Sequence, residues 1–366
     1  MEKKRKMSKK RIVEEDIIEI KRRRREVGHE GRNSPVETYV YNGHTIPGKC
    51  SPERARSFFG DGEFMPPRIV SVEPSAGCNL RCLMCATHLT EKSADFLDFG
   101  IFERVVAEAV SFQEFFVFQG TGEPMLHRRL FEMVAHARTA GIRNILISTN
   151  GTCMNNANID RSLARSTAPD FLQFSIDGHT PDLYEKYRKG AKFRKVHGAI
   201  RKLHAERAAR GLDFPEITIN TLLSADTNLT AFLELWGPYV DDVTVSPMLN
   251  QASQLSSEVD FLTAKQARGE EYISCPKPYE IISVMANGQI THCQHDYHQL
   301  HVKGNITTGD TLLGTWRNVA YNEFRSAHIQ GMGEKTSCQG CDSMYRIRDE
   351  AALFDARRMI ADYFSI

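Results

Sequence analysis

Short apolar runs alternate with amphipathic stretches between residues 67 and 250, and this pattern predicts successive β-α units around a parallel sheet. One such stretch, RLFEMVAHARTAG (residues 129–141), has the apolar spacing of a surface helix and ends on a glycine suited to a helix C-terminus. The predicted strands are residues 68–74, 114–120, 144–151, 171–178, 216–223 and 241–248. Six units predict an α/β fold, a partial (β/α)6 TIM-like barrel whose reactive groups gather at the C-terminal ends of the strands.

The pattern changes after a polar connector around residues 250–269. The segment YEIISVMANGQITHC (279–293) alternates around Asn287-Gly288 and predicts a β-hairpin with a type I′ turn. A helix containing Trp316 is predicted near residues 312–329. Residues 251–345 therefore form a predicted small C-terminal α+β domain, and residues 346–366 a C-terminal helix.

The first 66 residues are predicted to form a basic N-terminal extension with one hairpin in VETYVYNGHTI (36–46). Residues 1–26 hold 12 Lys or Arg against 6 Asp or Glu, whereas the whole chain has a net charge of +1. This extension is either a solvated, partly helical segment or an arm for phosphate or an acidic partner. Because no nucleic-acid module follows the run KRRRR (21–25), the sequence argues against nucleic acid as the partner.

No apolar run is long enough to span a bilayer, and the N-terminus lacks the apolar core of a secretory signal. The sequence therefore predicts a cytoplasmic protein without a membrane partner. The chain has nine cysteines. Thiols stay reduced in that compartment, so clustered cysteines indicate metal ligands rather than disulfides.

The first cysteine cluster lies in GCNLRCLMC (77–85), directly after the first predicted strand, and comprises Cys78, Cys82 and Cys85. Three thiolates completed by His88 would make a structural zinc site. The alternative is a [4Fe-4S] cluster with three cysteine ligands and one iron left open for another ligand. Cys50 and Cys153 stand apart from the clusters and are interpreted as incidental thiols.

The loop CNLRCLMC resembles the signature of the radical S-adenosylmethionine (SAM) superfamily. The resemblance implies that residues 67–250 are a radical SAM core, in which the amino and carboxylate groups of SAM bind the open iron. Reductive cleavage of SAM then gives a 5′-deoxyadenosyl radical. It also implies an electron donor such as flavodoxin or ferredoxin.

The same resemblance implies further SAM contacts. GTGEP (120–124) resembles the family's Gly-Gly-Glu-Pro motif, with Thr121 in place of the first glycine. Other predicted contacts lie at strand ends or, for the arginine, in YEKYRKG (184–190). The predicted cofactor-binding residues are Gly122, Glu123, Ser175, Asp177, Arg188 and Asn220. No catalytic acid or base is predicted.

A second set of four cysteines follows the barrel: Cys275, Cys293, Cys338 and Cys341. Four thiolates close a metal site, and either zinc or a fully ligated [4Fe-4S] cluster satisfies them. In its context the spacing resembles the auxiliary-cluster extensions called SPASM and twitch, and it is similar to that of an aminocyclitol dehydrogenase. One auxiliary [4Fe-4S] cluster is therefore expected within residues 251–345.

These resemblances imply a dehydrogenase-like oxidoreductase that abstracts a hydrogen atom from a small polar substrate, such as a sugar or aminocyclitol alcohol. The auxiliary cluster would assist electron transfer. One alternative is a radical SAM maturase that modifies a peptide. The other is a non-catalytic scaffold that binds zinc.

Overall fold

The computed structural model describes residues 38–41, 44–47, 65–89, 95–224, 226–247, 268–272, 275–333, 336, 338–347, 359 and 363–364. All of them belong to one compact unit, Thr38–Ile366. Several sequence predictions fall outside the described residues: the basic segment 1–26, Cys50, most of the connector 250–269 and most of the C-terminal helix. Among the described residues, no helix is long and apolar enough to cross a membrane.

The secondary structure alternates strands and helices through the first two thirds of the chain. The strands are β1 (Thr38–Tyr41), β2 (His44–Pro47), β3 (Ile69–Val72), β4 (Phe115–Phe118), β5 (Ile145–Thr149), β6 (Phe171–Ser175), β7 (Glu216–Leu223), β8 (Asp242–Pro247), β9 (Arg268–Tyr272), β10 (Ile281–Val284), β11 (Gln289–Thr291), β12 (Gly304–Asn305) and β13 (Tyr345–Ile347). The helices are α1 (Phe99–Ala109), α2 (Leu130–Ala140), α3 (Asn156–Leu163), α4 (Pro181–Tyr187), α5 (Phe193–Ala209), α6 (Leu229–Trp236), α7 (Lys277–Glu280), α8 (Leu312–Arg317) and α9 (Val319–Ile329).

Local sequence signals set the helix ends. Asp98 caps α1 by accepting hydrogen bonds from the backbone N–H groups of Gly100 and Ile101. Helix α2 ends at Gly141, which has a φ of 100°, as the sequence predicts. Thr180 caps α4, whose first residue is a proline that needs no hydrogen-bond partner for its nitrogen.

Strands β3 to β8 are parallel neighbours in chain order and form the predicted partial barrel. Alternate residues of these strands, such as Val70, Phe118 and Ile147, are fully buried in the main hydrophobic core together with residues of the helices. The residues between them point to the opposite, inner face. The α/β partial-barrel prediction is confirmed, and all six predicted barrel strands are present within a few residues of their expected bounds.

The second domain is joined to the barrel through the sheet. Strand β10 pairs in parallel with β3 and antiparallel with β11, and β12 follows β11, so that nine strands form one sheet in the order β12-β11-β10-β3-β4-β5-β6-β7-β8. The predicted hairpin over 279–293 is therefore confirmed. Within this hairpin, β10 lies beside β3, the first strand of the barrel.

The type I′ turn predicted for this hairpin is wrong. Of the Asn287-Gly288 pair only Gly288 has a positive φ, 82°, and its N–H donates to the carbonyl of Met285. This is a four-residue turn over residues 285–288 whose last residue is the left-handed glycine. The longer turn leaves the N–H of Ala286 pointing at the buried Glu73 carboxylate, 3.0 Å away.

The predicted helix near 312–329 is two helices, because Asn318 ends α8 and its side chain caps α9. The predicted hairpin over 36–46 is present as β1 and β2, which pair antiparallel. The start of the predicted C-terminal helix is wrong, since Arg346 and Ile347 lie in β13, which pairs with β9.

Candidate functional site

The first cysteine loop follows β3 and ends at a short 3-10 helix, Ala86–Leu89. Backbone hydrogen bonds anchor it to the end of α4: the N–H of Arg81 donates to the carbonyl of Lys189 and the N–H of Leu83 donates to that of Tyr187. Cys82 is buried, while Cys78 and Cys85 are half-buried. The loop thus presents three thiols from a fixed backbone at the C-terminal end of the barrel.

Burial dominates the electrostatics of these thiols. It raises the pKa of Cys78 to about 11 and that of Cys82 to about 12, and the neighbouring thiols of the set add to both shifts. The Arg188 guanidinium acts in the opposite direction on Cys82. Without a metal the two thiols therefore hold their protons at neutral pH, and a metal that binds there has to displace them.

One group of donor side chains lies close enough together for a single metal ion. Zinc binds thiolates at about 2.3 Å, so the sulfurs of a tetrahedral site lie about 3.8 Å apart. Among the described residues, the donor atoms of His292, His301 and Cys338 lie within 4.8 Å of one another. This group contains one thiol of the second cysteine set. The side chain of His88 lies outside the described residues.

The GTGEP loop packs directly on the cysteine loop. The N–H of Glu123 donates to the carbonyl of Gly77 at 2.9 Å. A Cβ atom at Gly122 would overlap the backbone oxygens of Ser75 and Gly77 and would lie 2.7 Å from the carbonyl carbon of Ala76. Glycine is thus required at position 122 because two backbone segments meet there.

The Glu123 carboxylate is fully buried and joins two loops of the barrel. It accepts hydrogen bonds from the N–H of Met125, the hydroxyl of Thr149 and the N–H of Asn150 at 3.0, 2.7 and 2.7 Å. Burial raises its pKa, and the two backbone donors and Thr149 oppose that shift. Its contacts within the protein position the loop, and its predicted contact with SAM stays a prediction.

Thr121 has a partner that the sequence pattern did not reveal. Its N–H and hydroxyl both donate to Oε1 of Glu73, at 2.7 and 2.6 Å, while Oε2 of Glu73 accepts the N–H of Ala286. Glu73 is buried at the end of β3. One carboxylate therefore ties the GTGEP loop to the hairpin of the second domain, which accounts for the threonine at this position.

The structure brings Asp177 and Arg188 together as a buried ion pair. Nε and one terminal nitrogen of Arg188 lie 2.7 and 2.5 Å from Asp177 Oδ2, and Asp177 Oδ1 accepts the N–H of Leu222 at 2.8 Å. Burial lowers the pKa of Arg188, but the charges of Asp177 and Cys82 outweigh it and leave the pKa raised. The pair links the ends of β6, β7 and α4 beside the first cysteine set.

Ser175 and Asn220 face each other across β6 and β7, next to Thr244 on β8. The neighbouring inner-face residues are Ser148, Gln173 and Ser246, and all six are half-exposed. Ser246 donates to the side-chain oxygen of Asn220 at 2.9 Å, and the amide nitrogen of Asn220 has no partner within the described part of the chain. The inner wall near the cysteine loop is thus polar and uncharged at these positions.

The four cysteines of the second set also come together. Burial raises the pKa of Cys275 to about 12, and the thiols of Cys341 and Cys293 add to the shift. Burial likewise raises the pKa of Cys338, with contributions from the other three. The nearby Lys277 Nζ lies 3.8 Å from Cys293 Sγ, and the thiolates raise its pKa although burial lowers it.

Several buried polar side chains surround the second set. His301 Nε2 lies 3.8 Å from Cys338 Sγ, and both His301 and His292 are buried. Asp296 is buried as well and accepts the N–H groups of Leu300 and His301.

Tyr297 connects the two cysteine sets. It is buried in the second domain, and its hydroxyl lies 3.7 Å from Cys85 Sγ. Burial raises its pKa well above the ordinary value, and Cys85 adds to that shift. Its place four residues after Cys293 is the only signal that the sequence offers for it.

Comparisons with known proteins agree with this arrangement. Residues 72–222 match the radical SAM superfamily model, and residues 275–342 match SPASM, an iron-sulfur cluster-binding domain. The chain is 29% identical over 160 residues to the AdoMet-dependent heme synthase of Methanosarcina barkeri, a match that spans 43% of this chain and 43% of the relative. The chain thus covers less than half the length of that curated relative.

Two solved structures share the fold at low identity. The crystal structure of BtrN in complex with AdoMet and 2-DOIA has a TM-score of 0.51 at 18% identity, over 75% of this chain and 92% of BtrN. The structure of Streptococcus suis SuiB bound to the precursor peptide SuiA has a TM-score of 0.58 at 14% identity, over 78% and 76%.

The two matched domains use SAM and [4Fe-4S] clusters, one of them an auxiliary cluster in the SPASM domain. The three-cysteine loop and the GTGEP loop lie within residues 72–222, and the four-cysteine set lies within residues 275–342. The chain carries a radical SAM domain over residues 72–222 and a SPASM-type auxiliary cluster domain over residues 275–342.

Proposed function

We propose that this chain is a dehydrogenase-like radical SAM oxidoreductase that removes a carbon-bound hydrogen atom from a small polar substrate, an alcohol of the sugar or aminocyclitol type. The observation that carries the proposal is the uncharged polar inner wall formed by Ser148, Gln173, Thr244 and Ser246 beside the first cysteine loop. Hydroxyl and amide groups there can bind substrate hydroxyls without burying a charge.

When bound, SAM and the first cluster supply a 5′-deoxyadenosyl radical, and the auxiliary cluster supplies an acceptor for the second electron. Cys78, Cys82 and Cys85 would hold the first cluster and leave one iron open. Cys275, Cys293, Cys338 and Cys341 would hold the second one without an open position.

The SAM contacts stay proposals and follow from hydrogen-bonding groups that have no partner among the described residues. Arg188 uses Nε and one terminal nitrogen on Asp177, and we assign its other terminal nitrogen to the methionine carboxylate. We assign the amide nitrogen of Asn220 and the hydroxyl of Ser175 to the ribose or the carboxylate. Glu123 and the backbone at Gly122 would receive the methionine ammonium.

The second candidate is modification of a peptide. The likeness to SuiB, whose structure holds the precursor peptide SuiA, favours it. Both candidates need a hydrogen atom donated by substrate and an electron donor such as flavodoxin or ferredoxin. They differ in the molecule that donates the hydrogen.

The test uses anaerobically reconstituted full-length protein, which should contain about eight irons per chain from two [4Fe-4S] clusters. Under reducing conditions it is incubated with SAM and carbon-deuterated polyols, aminocyclitols or peptides. We expect deuterium in 5′-deoxyadenosine with a member of the first two classes, detected by mass spectrometry. Transfer from peptides alone would replace the proposal by the second candidate, and substrate-free incubations give the background.

A further inference from the structure

Lys277 directs its ammonium group at the second cysteine set. It follows Cys275 by two residues at the start of α7. Its side chain turns back to the cysteine set and places Nζ 3.8 Å from Cys293 Sγ, within hydrogen-bond range for sulfur. This contact puts a positive charge beside one ligand.

The charges around the ammonium group are those of the cysteines. The negative groups that act on it are Cys293, Cys275 and Cys341. In the part of the chain that the structure describes, no carboxylate forms an ion pair with it, in contrast to Lys186 and Lys192, which pair with Asp226 and Glu185. The cysteine-ligated metal centre would therefore supply the negative charge that balances the Lys277 ammonium group.

We propose that Lys277 raises the reduction potential of the auxiliary cluster by donating a hydrogen bond from its ammonium group to Cys293 Sγ. Reduction adds one electron and hence one negative charge to the centre, with no bond or proton exchanged. A fixed cation beside a ligand stabilises the reduced state more than the oxidised state, and hydrogen bonds to the sulfurs act in the same direction.

The consequence for catalysis rests on the proposed function. Oxidation of an alcohol carbon radical to a ketone releases one proton and one electron, and a higher potential makes the auxiliary cluster a better acceptor of that electron. Lys277 is then a positioning and tuning residue, since it touches a ligand rather than the substrate.

The test measures the potential without substrate, so that its result does not depend on the proposed reaction. Full-length protein with Cys78, Cys82 and Cys85 replaced by alanine retains only the auxiliary centre. It is titrated with dithionite and monitored by electron paramagnetic resonance (EPR), with Lys277 intact and as Lys277→Met, Lys277→Gln and Lys277→Arg. Lys202→Met is the matched control, because Lys202 is exposed and its ammonium group donates to the side chain of Asn156.

The two neutral variants should lower the reduction potential of the auxiliary cluster. At a fixed applied potential, the ratio of reduced to oxidised centre should fall at least tenfold, which corresponds to a shift of about 59 mV for one electron. Lys277→Arg should keep a reduction potential close to that of the protein with Lys277 intact, and Lys202→Met should leave the potential unchanged. Equal potentials for Lys277 and both neutral variants would overturn the proposal. So would failure of both neutral variants to bind about four irons, because Lys277 would then serve assembly rather than tuning.

Discussion

Replacing Cys82 with alanine is expected to abolish 5′-deoxyadenosine formation and to lower the iron content from about eight to about four per chain. Cys82 is the buried member of the first set, and two half-buried thiols cannot hold a four-iron cluster without it. The four cysteines of the auxiliary set are untouched. Iron analysis and the EPR spectrum of the reduced protein measure both effects.

Cys153→Ala is the matched control. Cys153 is half-buried and lies four residues past Thr149, and its thiol lies 4.0 Å from the Thr152 hydroxyl. It should keep about eight irons and form 5′-deoxyadenosine at the wild-type rate. Full iron loading in the Cys82 variant would contradict the assignment of the first set, as would equal iron loss in both variants.

Replacing Gly122 with alanine is expected to destabilise the protein by about 3 kcal/mol and to weaken SAM binding more than tenfold, since overpacking a rigid site costs about 1–3 kcal/mol or more. The added Cβ atom would meet backbone atoms of Ser75, Ala76 and Gly77 rather than a movable side chain. Either the GTGEP loop or the cysteine loop has to shift. Denaturant unfolding and calorimetric titration with SAM measure the two effects.

Gly198→Ala provides the control, because Gly198 lies inside α5 and an added Cβ atom meets nothing within 4 Å. Alanine there should stabilise the helix by up to about 1 kcal/mol, since glycine is a poor helix former. Equal effects of the two substitutions would show that position 122 has no special packing requirement.

The barrel was predictable from the sequence because each strand carries a short apolar or alternating run and amphipathic stretches separate these runs. EITINTLL gives β7 with its observed bounds, and Gly141 ends α2 in the left-handed conformation as expected. The cysteine sets were predictable for a different reason, since their spacing along the chain is specific. Both signals are local.

Features that depend on distant partners were not predictable. The hairpin turn differs from the expected type, and its Ala286 donates to Glu73, a residue 213 positions away. Thr121 looked like a departure from a motif until its bonds to that same carboxylate were seen. Arg188 and Asp177 were each predicted as separate SAM contacts, whereas the fold pairs them.

The central claim is that the first cluster has one iron open to SAM because the chain supplies only Cys78, Cys82 and Cys85. The most direct test is electron-nuclear double resonance on the reduced full-length protein mixed with SAM that carries nitrogen-15 in its amino group. The account predicts a nitrogen-15 hyperfine coupling to the cluster that shows direct binding of the amino group to iron. Absence of that coupling, with a histidine nitrogen such as that of His88 bound to the iron instead, would contradict it.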